Sequence, residues 1–77
     1  MNDSAAWSIW QATLGELQLQ VTRPSYNTWL KGTVGIVLDG DRLVIGTPNT
    51  FAAEWLEQRM YQLIRKTVEG ITKRPLE

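Results

Sequence analysis

Apolar residues recur at steps of three and four at the start of the chain. Trp7, Trp10, Leu14, Leu17 and Val21 form one stripe, which predicts a helix over 5–21 with Asp3 or Ser4 as its cap. Ile9 and Leu19 fall off that stripe, so Ile9 beside Trp10 leaves apolar surface at the helix start. Pro24 cannot continue this helix but suits the first turn of another. A short helix over 24–31 then carries Tyr26, Trp29 and Leu30 on one face and stops at Gly32. The period changes to that of strands over 33–38 and 43–47, which flank Asp39-Gly40-Asp41-Arg42, a strong hairpin signal. Pro48 closes the second strand and Asn49 caps a long helix over 50–69, with Ala52, Trp55, Leu56, Met60, Leu63 and Ile64 near one face. The predicted order is helix, short helix, β-hairpin, long helix. A lone hairpin is marginal, so this one must pack on the helices, giving an α+β domain.

Composition narrows what such a domain can do. The chain has 77 residues with no Cys and no His, which removes disulfides, Cys/His zinc sites, thiol nucleophiles and His acid–base relays. Neither cofactor nor metal is expected, and the reading is a binding module rather than an enzyme. Four tryptophans, Trp7, Trp10, Trp29 and Trp55, are the surplus. A domain this small needs large aromatics as staples, yet has little room to bury all four. No basic leader or apolar run of membrane-spanning length is present, so a cytoplasmic, membrane-free protein is expected. The net charge of zero is an average: 1–58 carries three basic against six acidic groups, and 59–77 carries five against two.

Several motifs tempt and do not hold. Gly32-Thr33-Val34-Gly35 spells the Gly-x-x-Gly loop that clamps single-stranded nucleic acid in KH domains, but it runs into a strand with only Lys31 nearby. It reads better as a helix stop and a strand start. The spacing of Gly35 and Gly40 fits a phosphate loop, but Asp41-Arg42 follows where Lys-Ser/Thr is required. Asp39 and Asp41 bracket a turn, and Glu54 and Glu57 suit the positive end of a helix. Arg59, Arg65, Lys66, Lys73 and Arg74 offer at most weak, salt-sensitive, sequence-blind contact with phosphates. Phe51, one turn before Trp55 at the strand-to-helix corner, is either packed back on the hairpin or half exposed as a partner anchor.

Taken together, the residues resemble one family. Trp10-Gln11 with Leu14 and Leu17, then Pro24-Ser25-Tyr26-Asn27-Thr28-Trp29-Leu30, the Asp-Gly hairpin, and Thr47-Pro48-Asn49-Thr50-Phe51 with Trp55-Leu56 and Tyr61 resemble the N-terminal domain of the bacterial replication initiator DnaA. The resemblance covers about 7–68. It implies a KH-like fold that self-associates weakly, recruits the replicative helicase to the origin and receives regulators, with weak affinity for single-stranded DNA in some members. The ATPase and the duplex-reading domain of full initiators lie outside such a domain. By the same resemblance Ile9 and Trp10 fall on the self-association surface, and Phe51 and Ser25 on the helicase and regulator surface. Ser25 departs from the Glu of some members. Trp29, Leu30, Trp55 and Leu56 match core positions, joining Leu14, Leu17 and Tyr26. Gly32 stands in place of a common proline. A last strand has only 73–77 to form it and is expected frayed or absent, so 1–72 is read as the domain and 73–77 as a tail. Two alternatives stay open: a single-strand nucleic-acid binder using Arg65 and Lys66, and a stand-alone protein built on the same domain.

Overall fold

The computed structural model describes residues 4–73. Helix α1, Ser4–Gln20, is the spine of the molecule and buries Ala6, Trp10, Thr13, Leu14 and Leu17. Thr22 opens the next element by accepting a hydrogen bond from the Ser25 amide at 3.3 Å, with Pro24 in the first turn. One α-helical turn, α2 (Arg23–Ser25), runs directly into a π-helical turn, Tyr26–Leu30, which closes with the Lys31 amide on the Tyr26 carbonyl. Strands β1 (Val34–Asp39) and β2 (Arg42–Gly46) then pair antiparallel from Val34↔Gly46 to Asp39↔Arg42. The two-residue loop needs a left-handed residue first, and Gly40 supplies it with φ 62°.

The long helix foreseen over 50–69 is two helices. Asn49 caps α3 (Thr50–Arg59) by accepting from the Ala52 amide at 2.8 Å. The chain then bends at Met60, where φ is −125° and ψ 4°, before α4 (Tyr61–Thr72). Neither proline nor glycine marks that bend in the sequence. It lies where Met60 turns inward between the buried Leu56 and Val68, so packing sets it. Lys73, in the left-handed region with φ 62°, ends α4. The last strand expected over 73–77 lies, apart from Lys73, outside the described residues, and so does the cap expected at Asp3.

Helix α1 lies between β1 and α4, and the core gathers around it from Trp10, Leu14, Leu17, Leu30, Leu56, Met60 and Val68. Close approach of α1 to β1 depends on Gly35. A methyl group there would strike the Ala6 carbonyl and come within 2.9 Å of the Trp10 Cβ. The buried Thr33 hydroxyl accepts from the Trp10 indole N–H at 2.8 Å and donates to the Leu30 carbonyl at 2.6 Å. The Gly-x-x-Gly segment is therefore a joint: Gly35 admits α1, Thr33 locks it, and Gly32 lies against the Pro48 ring, whose Cγ would be 2.9 Å from an added Cβ.

Candidate protein-interaction surface

The π-helical turn delivers Trp29 to one side of the molecule, and α3 delivers Phe51 and Trp55 there, one helical turn apart. Trp29 and Trp55 stack nearly parallel, with centroids 4.2 Å apart and planes 5° apart. Phe51 meets Trp29 edge-on at 5.6 Å and 73°. The two indoles are half-buried and rest on the core, whereas Phe51 is 64% exposed. The result is an aromatic platform: a rigid base of two stacked rings with a third presented to solvent. The Asn49 cap fixes the start of α3, and the Gly32–Pro48 contact holds the strand-to-helix corner against the end of the π-helical turn.

Phe51 is thus exposed, with its ring edge-on to Trp29. Ser25 is half-buried, its amide on Thr22, one turn ahead of Trp29 on the same short helix. Leu14, Leu17, Leu30 and Leu56 are core residues as foreseen. Tyr26, Trp29 and Trp55 are only half-buried against that core, because among the described residues no further layer covers the side where the short helix meets α3.

The start of α1 requires a correction. Trp10 was expected on a self-association surface, yet it is 1% exposed and its indole N–H is spent on Thr33. Ile9 is half-buried and packs against the core. The exposed tryptophan of this helix is Trp7, at 54%. The cause is the close approach at Gly35, which turns the Ala6–Trp10 side of α1 onto β1 and leaves Trp7 about 100° round the helix from Ala6.

Arg65 and Lys66 are both exposed on α4, and Arg65 pairs with Glu69 at 3.6 Å. Arg74 lies outside the described residues. No three acidic side chains among the described residues gather as metal ligands, and no helix among them is long and apolar enough to cross a membrane.

An open apolar cleft of about 340 Å³ separates β2 from α3 and α4, with Leu43 and Ile45 on one wall, Tyr61 and Ile64 on another, and Leu56 and Val68 deeper. Its walls come from elements distant in the chain, so no local pattern announces it.

A small α+β domain with a helix–hairpin core and a partly exposed aromatic cluster defines the class of the protein. The model of the DnaA N-terminal domain family matches residues 7–69, and the chain belongs to that family. It is a domain of a DnaA-type replication initiator, and domains of this family are protein-interaction modules.

Proposed function

We propose that this domain recruits the replicative helicase and regulatory proteins to the origin and associates weakly with itself, and that it catalyses no reaction. The observation that carries the helicase reading is the exposure of Phe51 on a pre-stacked base of Trp29 and Trp55. An aromatic side chain held by rigid neighbours gives up little conformational freedom on binding, which is what an interface anchor requires. The absence of His and Cys leaves few groups for acid–base or nucleophilic chemistry, which supports a purely binding role.

The test is direct binding of the cognate replicative helicase to the wild-type domain and to Phe51→Ala. The variant is expected to bind at least about tenfold more weakly while keeping its circular dichroism spectrum. Equal affinity of the two proteins would overturn the assignment. Binding of a single-stranded oligonucleotide that is strong at low salt and lost in Lys66→Glu would instead favour the nucleic-acid reading.

A further inference from the structure

The charge on Glu54 is not explained by the fold. A helix start favours negative charge, but that field fades within the first turn. Helix α3 begins at Thr50, holds no acidic residue in its first turn and is capped by Asn49, so Glu54 lies beyond the field. Glu54 is exposed, and among the described residues no ion pair holds it.

Its position gives it aromatic neighbours instead. Phe51, Glu54 and Trp55 stand at i, i+3 and i+4 on α3, so the carboxylate shares a face with the aromatic cluster. Trp29 meets Phe51 at 5.6 Å and Trp55 at 4.2 Å, and Phe51 is 64% exposed. In Tyr26–Leu30 and in 50–55, the two segments that bring these rings together, Glu54 is the one charged residue. The surface is therefore a set of ring faces with a single carboxylate beside them. A purely apolar partner group would cover the rings but strip water from the carboxylate without replacing its hydrogen bonds. A cation satisfies both, since ring faces attract it and the carboxylate pairs with it. Arginine fits better than lysine. Its flat guanidinium stacks on a ring while the N–H groups in its plane stay free for a carboxylate.

We infer that the protein partner of this surface presents an arginine that stacks on Phe51 and donates to the Glu54 carboxylate. The inference rests on the reading of Phe51 as the helicase contact and adds the chemistry that the helicase must bring. Glu54 is then a specificity-determining residue, which turns away partners whose contact is acidic or purely apolar. Glu57 supplies an internal control. It carries the same charge on the same helix, but it stands about 120° round α3 from Phe51, twice as far as Glu54. It lies on the rim of the cleft between β2, α3 and α4.

The experiment measures binding of the cognate replicative helicase to wild type, Phe51→Ala, Phe51→Leu, Glu54→Gln, Glu54→Lys and Glu57→Lys. Glu54→Lys should bind at least about tenfold more weakly and Glu54→Gln about threefold, while Glu57→Lys stays within about twofold of wild type. Phe51→Leu keeps an apolar anchor but removes the ring face, and should lose about threefold. The loss in Glu54→Lys should shrink as salt is raised. Equal binding of Phe51→Ala and wild type would overturn both this inference and the helicase reading. If Phe51→Ala binds weakly but Glu54→Lys binds no worse than Glu57→Lys, the arginine contact alone is overturned. Binding of Phe51→Leu at the wild-type level would overturn it too, since the ring face would then go unused. Retained circular dichroism in each variant separates these outcomes from unfolding.

Discussion

Trp10 and Phe51 are both aromatic residues on helices, and their surroundings give them opposite duties. Trp10 sits in the core with its N–H on Thr33, so its replacement removes a large packed ring and a buried hydrogen bond together. Trp10→Ala is expected to cost about 3–5 kcal/mol, a large share of the stability of so small a domain, measured by urea denaturation. Thr33→Val keeps the volume but strands the indole donor, and should cost about 1–3 kcal/mol in the same assay. Phe51→Ala removes a ring that is mostly in water, so its melting temperature should stay within a few degrees of wild type while helicase binding falls. The Trp10 and Thr33 variants report on folding and the Phe51 variant on recognition.

Among the elements, two glycines make the same contrast. Gly15 lies in the exposed part of α1 with nothing within 4 Å of an added Cβ, whereas Gly35 faces the Ala6 carbonyl and Trp10. Gly15→Ala should therefore stabilise by about 0.5–1 kcal/mol, raising the melting temperature by several degrees. Gly35→Ala should lower it sharply, because the close approach of helix and strand cannot persist around a methyl group. Most element boundaries were legible because each rests on local chemistry: Pro24 after Thr22, Gly40 in the turn, Asn49 before Thr50. The bend at Met60 was not legible, since it answers to which side chains must reach the core and not to a helix breaker. The π-helical turn at Tyr26–Leu30 was likewise hidden, as the same residues suit an α-helix.

For the whole molecule, the charge division between the body and the C-terminal end sets an expectation for nucleic acid. Arg65 already faces Glu69, and Lys66 is one exposed cation on the same helix. Binding to a single-stranded oligonucleotide should be weak at low salt and vanish at physiological salt, as read by fluorescence anisotropy. The aromatic platform and the apolar cleft are products of assembly. Trp29 meets Phe51 and Trp55 only because the π-helical turn and α3 are brought side by side, and the cleft appears only once β2 stands apart from α3 and α4.

The sequence by itself determined the order of elements, the α+β class, the turn and cap residues, and the family to which the domain is assigned. Those features follow from periodicity and from backbone preferences of single residues, which act over a few positions. Tertiary structure alone decided which tryptophan of α1 is buried. Trp7 and Trp10 lie on the same predicted stripe, and periodicity cannot rank two neighbours on one face. Gly35 ranks them by letting the backbone of β1 come up against Ala6 and the base of Trp10, so that Trp10 sinks into the core and Trp7 stays in water.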